Sequence, residues 1–273
     1  MTTDQATQTL NPRVSEVFLD VVGAVADIIR TRRVTFQEFR EAIGFLEEVT
    51  KQGELPLLMD VFLGVAVDDV NYTANGGTES NLEGPFYVPG APILQPPYVL
   101  PRRDNEPGEI LLMSGTVGSL DGTPLAGAML DVWQANGAGQ YSHFYEGVPE
   151  FNLRGRFTTD SEGRFEVRTV LPAAYEIPKE GPTGRLLNAL GRHFFRPSHL
   201  HFKLTHPGHK PLTTQIYFEG DAYLHSDVVG AVKDALVVKL QKDEARSNGG
   251  QGGLDSPCYT CSYSFLLQPQ AAV

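Results

Sequence analysis

Gly155-Arg-Phe-Thr-Thr159, Asp160-Ser-Glu-Gly163 and Arg164-Phe-Glu-Val-Arg-Thr-Val170 form the stretch on which the fold turns. Two short segments with Phe and β-branched residues flank four turn formers, a pattern that predicts a β-hairpin. The same texture surrounds it. Leu111–Val117 precedes the turn Asp121-Gly122, and Ala128–Gln134 holds the single tryptophan, Trp133. His199–Thr205 and Thr213–Phe218 are further strands, and Tyr259–Leu267 ends the set. No helical pattern alternates with these strands, so the expected class is mainly β, an antiparallel β-sandwich. Residues 226–236 are expected to form one short helix.

Ahead of the strands the period changes from two to between three and four. Val14, Val17, Phe18, Val21, Val25 and Ile28 recur at helical steps from Pro12 onward. Thr35-Phe-Gln-Glu38 reads as a capping box, and Phe39, Ala42, Ile43, Leu46 and Val49 follow on one face. Leu57 to Val70 is apolar enough for a third helix. Residues 1–11 are polar and expected to be loose. The glycine and proline clusters of 71–110 then mark loop and turn. The expected division is a helical region at 1–75 and a sandwich at 76–273. Amphipathic helices need a surface to cover, either this chain's own sheet or a second subunit.

The chain has 273 residues, 41% hydrophobic and 20% charged, with net charge −11. This is an ordinary soluble balance, and the acidity disfavours a phosphate backbone as partner. No apolar run approaches the roughly 20 residues of a membrane span. No secretory signal is read, so the expected location is cytoplasmic. Cys258 and Cys261 are the only cysteines. One such pair without nearby histidines reads as two ordinary thiols.

The chemistry starts at His199-Leu-His201. Residues i and i+2 of a strand point to one side, so two imidazoles can grip one metal. Arg196-Pro197 lies just before them. Zinc would ask for Cys, His or a carboxylate, and none sits at a tight spacing. A 2-His-1-carboxylate iron site would need an acid nearby, and Glu219 and Asp221 are remote. Tyrosine remains. A phenol with a pKa near ~10 is a poor ligand for most divalent ions, but a trivalent cation lowers the pKa of groups bound to it. Two phenolates and a hydroxide would balance Fe(III). Ten tyrosines are available, and spacing alone does not choose among them. Tyr141 follows Asn136-Gly-Ala-Gly-Gln140, and Tyr175 follows Pro172-Ala-Ala. Both lie on loops leaving strands, where functional residues concentrate.

Several motifs run in one order along nearly the whole chain. They are Gly84-Pro-Phe-Tyr-Val-Pro-Gly-Ala-Pro92, Asp131-Val-Trp-Gln-Ala-Asn136 with Gly139-Gln-Tyr-Ser142, and Arg154-Gly-Arg156. They continue through Tyr175-Glu-Ile-Pro-Lys-Glu-Gly-Pro-Thr-Gly184, Arg196-Pro-Ser-His-Leu-His201 and Thr214-Gln-Ile-Tyr-Phe-Glu-Gly-Asp221. In these the sequence resembles the intradiol ring-cleavage dioxygenases, specifically the catechol 1,2-dioxygenase group, which includes chlorocatechol and hydroxyquinol enzymes. The resemblance implies one non-haem Fe(III) per subunit held by Tyr141, Tyr175, His199 and His201. It implies that Tyr175 doubles as general base, that Arg196 stabilises negative charge on the ring, and that Gln215 hydrogen-bonds near the iron and substrate. The reaction implied is cleavage of a catechol by O2 to a cis,cis-muconate.

The ring pocket implied by the resemblance comprises Leu57, Asp60, Val61, Leu82, Gly84, Pro85, Phe86, Ile177, Pro178 and Val229. Leu82-Glu-Gly-Pro85 looks like catechol enzymes, whereas Phe86 and Ile177-Pro178 look more like chlorocatechol and hydroxyquinol enzymes. Catechol and simple substituted catechols lead, and hydroxyquinol, giving maleylacetate, is the alternative. The helical N-terminus resembles this group's dimerisation region, which implies a homodimer and lipid among the helices. Two rival classes remain at this point. Gly115-Thr-Val with Asp121-Gly-Thr-Pro-Leu-Ala-Gly127 also resembles non-enzymatic β-sandwich modules, and a hydrolytic zinc enzyme would use the same histidines.

Overall fold

The computed structural model describes residues 11–71, 76–243 and 258–270. The segment expected to be loose lies almost wholly outside these residues, and its last member, Asn11, caps a helix. The Asn11 side chain accepts from the backbone N–H groups of Arg13 and Val14 at 3.1 and 3.3 Å, satisfying donors that a helix start leaves open. Helix α1 (Pro12–Arg32) has no buried residue and ends at Arg33 in the left-handed conformation. Helix α2 (Phe36–Lys51) opens with the expected capping box. Glu38 N–H donates to Thr35 Oγ1 at 3.2 Å, and Thr35 N–H to Glu38 Oε2 at 2.7 Å.

The chain divides into two compact units, 1–52 and 53–273. The division falls ahead of 75/76, so the third helix groups with the sandwich. That helix runs as α3 (Leu55–Met59), a π-helical stretch Asp60–Gly64, and α4 (Val65–Asn71). The single uniform helix expected from Leu57 to Val70 is thus interrupted by a wider turn, a feature frequent at functional sites. Lys233 holds α4 through Asp68 at 2.7 Å and Asp69 at 3.1 Å.

The strands are β1 (Tyr98–Val99), β2 (Ile110–Ser119), β3 (Met129–Gln134), β4 (Arg154–Thr158), β5 (Arg164–Val170) and β6 (Tyr175–Glu176). After helix α5 (Pro182–Ala189) come β7 (Phe195–Arg196), β8 (His199–Thr205), β9 (Leu212–Phe218), β10 (Val237–Val238), β11 (Gln241–Asp243) and β12 (Cys258–Leu267). One sheet has the order β1-β5-β2-β12-β11, the facing sheet β10-β9-β8-β3-β4, and β6 pairs with β7 in a separate ladder.

The sandwich is as expected, but its wiring differs in three places. The turn Asp160–Gly163 forms, with Asp160 Oδ1 accepting from Glu162 N–H at 2.9 Å and Arg164 N–H at 2.8 Å. It does not close a hairpin, because β4 and β5 belong to opposite sheets. The pairing is also mixed rather than purely antiparallel. β12 runs parallel to β2 over ten register pairs, and β1–β5 and β10–β9 are parallel too. Finally, the helix expected at 226–236 shrinks to a 3-10 turn at Asp234–Leu236.

Strand alternation then sorts side chains by face. Leu200, Phe202 and Leu204 of β8 enter the core with Leu130, Val132 and Ile216 from the same sheet, against Leu111, Met113, Phe165, Val167 and Phe265 of the other. Burying each such side chain contributes roughly 1.5–3 kcal/mol. His199 and His201 fall on the opposite face of β8 by the same alternation. Cys258 and Cys261 are both buried. Three residues apart on β12, they point to opposite faces, and Cys261 lies against the Met113 sulfur at 3.2 Å. Burial pushes its thiol up to about 12. Among the described residues no helix is long and apolar enough to cross a membrane.

Candidate metal centre

Backbone register brings the site together. His201 pairs with Trp133 on one side and Gln215 on the other, while His199 pairs with Tyr217. Cross-strand partners share a face, so β3, β8 and β9 present these side chains jointly. Tyr175 and Arg196 arrive as register partners of the β6–β7 ladder. Tyr141 is delivered by the loop after β3, where Asn136 Oδ1 accepts from Ala138 N–H at 2.9 Å and Gln140 N–H at 3.0 Å. Gly139 lets this loop approach Tyr175. Its φ is +77°, and a Cβ there would sit 2.9 Å from Tyr175 Cβ.

The four residues expected as ligands converge. The Nε2 atoms of His199 and His201 lie 3.0 Å apart. His199 Nδ1 is 2.7 Å from the Pro197 carbonyl; donation there leaves Nε2 with a free lone pair, the tautomer a metal requires. Tyr141 and Tyr175 meet edge to face at 5.3 Å between centroids. The Tyr175 ring is 5.7 Å from that of His199, and the Tyr141 ring 6.4 Å from that of His201. All four are buried. The Tyr141 hydroxyl and His201 Nδ1 make no hydrogen bond of normal geometry, a costly state for buried polar atoms that have no further partner.

Burial, then the Arg196 charge, lowers His199 to about 3, and burial with His199 and Arg196 holds His201 well below its ordinary range. Both imidazoles are therefore neutral. Burial raises both phenols, Tyr141 well above 10, while Arg196 opposes the rise at each. Neutral nitrogen donors beside phenols that ionise only against a strong cation fit a hard trivalent metal. Among the described residues no three His, Cys, Asp or Glu gather as a metal site.

Arg196 is buried and held through Nε and Nη2. Its Nε and Nη2 donate to the two carboxylate oxygens of Asp227 at 3.2 and 3.1 Å, and Nη2 also reaches Gln215 Oε1 at 3.0 Å and Tyr217 Oη at 3.1 Å. Gln215 Nε2 donates to the Leu82 carbonyl at 2.6 Å. Burial would lower the guanidinium's pKa, but Asp227, Tyr217 and Tyr175 outweigh it and hold the charge.

Of the expected ring pocket, Val61, Phe86 and Ile177 join Tyr141, Tyr175 and Trp133 in one apolar cluster, with Leu57 and Val229 packed against it. Phe86 stacks on Tyr141 at 4.5 Å. Leu82 and Asp60 both lie close to Gly64, in the π-helical stretch; a Cβ there would lie 3.2 Å from Leu82 methyls and 3.7 Å from Asp60 Oδ1. Burial raises the half-buried Asp60 carboxyl and the Arg196 charge opposes it. At Gly84 a Cβ would sit 3.8 Å from His201 Cε1. Pro85, in the turn that carries Phe86, and Pro178, directly after Ile177, remain exposed.

A family described as "Dioxygenase" matches residues 82–269, and "Catechol dioxygenase N terminus" matches 11–79. The chain belongs to the intradiol dioxygenase family. It is 42% identical over 235 residues to the chlorocatechol 1,2-dioxygenase of Rhodococcus opacus, covering 85% of this chain and 91% of that one. It is 39% identical over 250 residues to catechol 1,2-dioxygenase 2 of Acinetobacter lwoffii, covering 89% and 90%. The solved hydroxyquinol 1,2-dioxygenase of Pseudomonas putida DLL-E4 superposes with TM-score 0.88 at 33% identity, covering 96% and 94%. This dioxygenase is therefore an oxidoreductase of the catechol 1,2-dioxygenase group.

Several residues of this dioxygenase's centre escaped the sequence reading. Asp227 and Tyr217 hold Arg196, and Asn81 Nδ2 donates to the Ala231 carbonyl at 2.7 Å beneath them. Arg154 is buried with its guanidinium 5.9 Å from the Tyr141 ring centroid, and its Nε donates to Ser142 Oγ at 2.6 Å. The only sequence signal for Asp227 was indirect: a buried arginine requires a carboxylate. Asp221, set aside as remote, does act locally, accepting from Ser198 N–H at 3.0 Å.

Proposed function

We propose that this enzyme cleaves catechol, or a simple substituted catechol, between its two hydroxylated carbons with O2 to give a cis,cis-muconate, at a ferric ion held by Tyr141, Tyr175, His199 and His201. The observation that carries this reading is the convergence of two neutral imidazoles, with Nε2 atoms 3.0 Å apart, on two buried phenols. Bound there, the ferric ion supplies a Lewis acid that stabilises phenolates and a catecholate dianion and opens the ring to O2. The residues do the rest. Tyr175 accepts a substrate proton, and Arg196 lowers the cost of its negative form. Arg196, fixed by Asp227 and Gln215, also balances negative charge growing on the ring. His199 stays in one tautomer through Pro197. Leu57, Val61, Phe86 and Ile177 exclude water and present an apolar face to the ring.

A second substrate reading rests on Asp60. Its half-buried carboxyl, raised by burial, would accept a hydrogen bond from a third ring hydroxyl, favouring hydroxyquinol and a maleylacetate product. A panel of catechol, chlorocatechols, methylcatechols and hydroxyquinol, read by O2 uptake and product spectrum, separates the two. Highest kcat/KM on hydroxyquinol, lost in Asp60→Ala, would replace the first reading.

The assembly belongs to the same proposal. α1 carries Val14, Phe18, Val21, Val25 and Ile28 exposed, and we assign this face to a homodimer, with room for lipid among its helices. A chain whose two cysteines are buried thiols suits a cytoplasmic location. Sedimentation of the purified chain tests the dimer, and a monomer at micromolar concentration contradicts it.

A further inference from the structure

Trp133, the only tryptophan, stacks on His201 with centroids 4.6 Å apart and planes within 10°. Tyr87 lies against the indole at 4.8 Å. Trp133 is buried and Tyr87 is partly exposed, so the rings lead from the histidine pair toward solvent. Aromatic packing accounts for contact between rings, but two further details call for another explanation. The indole Nε1–H is buried without a hydrogen-bond acceptor, whereas Tyr87 Oη donates to Asp131 Oδ2 at 3.1 Å. One ring can lose an electron but has no base for its proton; the next has a carboxylate waiting. The Lys203 ammonium over the Tyr87 ring, at 4.5 Å, is matched by Glu83 at 2.7 Å, so the ring does not face an unbalanced cation.

We propose that Trp133 and Tyr87 form a relay that carries an oxidising equivalent from the histidine centre to the protein surface, protecting the ligands when O2 chemistry goes astray. The relay rests on the proposed function only for the source of the oxidant, a radical of partly reduced oxygen. That radical takes one electron from the indole and leaves a radical cation, since no proton can depart. The cation takes one electron from Tyr87. The phenolic O–H bond breaks, its proton passes to Asp131 Oδ2, and a neutral tyrosyl radical remains at the partly exposed ring. A small thiolate then returns one electron, becoming a thiyl radical, and Asp131 returns the proton. Burial raises the Asp131 carboxyl, which strengthens it as the acceptor.

Flash photo-ionisation tests this on the full chain, because a single tryptophan means that the indole radical arises only at Trp133. The ejected electron is scavenged, and transient absorption follows the indole radical and any tyrosyl radical that grows as it decays. The wild type should show tyrosyl growth matched to indole decay and slowed in D2O. Tyr87→Phe keeps the ring packing but should lose that growth and lengthen the indole lifetime. Asp131→Asn should slow the transfer. Unchanged tyrosyl growth in Tyr87→Phe, or no tyrosyl growth in the wild type, overturns the relay. The flash makes the oxidised indole whether or not His201 holds iron, so this result is independent of the metal assignment, which metal analysis tests separately.

Discussion

Tyr175 and Arg196 face each other as register partners across the two-stranded β6–β7 ladder, placing a cation beside a buried phenol. Burial raises the phenol's pKa, and the guanidinium is the largest influence that lowers it. Tyr175→Phe keeps the ring packing and removes the hydroxyl. It should retain part of the iron and lose about 10²–10⁴ in kcat, the usual contribution of a positioned general base. Steady-state O2 uptake checks this, and full turnover in the variant would refute the base role.

Arg196→Lys should keep a positive charge but lose the two-pronged grip on Asp227. The expected loss is about 10²–10³ in kcat with a smaller change in KM, since the charge acts on the developing anion. An equal effect on KM alone would place Arg196 in ground-state binding instead.

Asp227 ties pH to stability. Arg196 and backbone donors lower its pKa below the ordinary carboxylate value despite burial. A depressed folded pKa stabilises the fold above the unfolded pKa of ~3.9, and this contribution is lost as pH falls through the lower folded value. Asp227→Asn leaves Arg196 charged and buried without its anion, at a cost of about 3–5 kcal/mol. Denaturant melts from pH 7 down to acid should show the variant less stable at neutral pH, with the gap narrowing only at strongly acid pH. A pH-independent gap would contradict the assignment.

Gly139→Ala meets two obstacles, a positive φ and a Cβ contact of 2.9 Å with Tyr175. The strain should cost at least ~1 kcal/mol and displace Tyr175 from Tyr141. Thermal melting together with the visible spectrum of the iron-loaded variant reads both effects.

The legible part of the fold was whatever depended on local pattern. His199–Thr205 reads as a strand because polar and apolar residues alternate, and the observed bounds coincide. The Thr35–Glu38 box likewise needs only neighbours, whereas the Asn11 cap falls in a segment expected to be loose. What failed was long-range. Asp160–Gly163 has correct turn chemistry, but nothing within it says that β4 joins β3 while β5 joins β2. The parallel β2–β12 pair unites segments over a hundred residues apart. In the site, His199 and His201 follow from spacing, whereas Tyr141 and Tyr175 required the family resemblance. Asp227 sits in coil, and only the fold brings it to Arg196.

The most direct test of the ferric centre is metal analysis of the purified protein with its visible spectrum. The account predicts one iron per subunit and a red-brown colour from phenolate-to-iron charge transfer, with both lost in His201→Ala. A protein that stays colourless and binds no iron when ferric ion is added would contradict it.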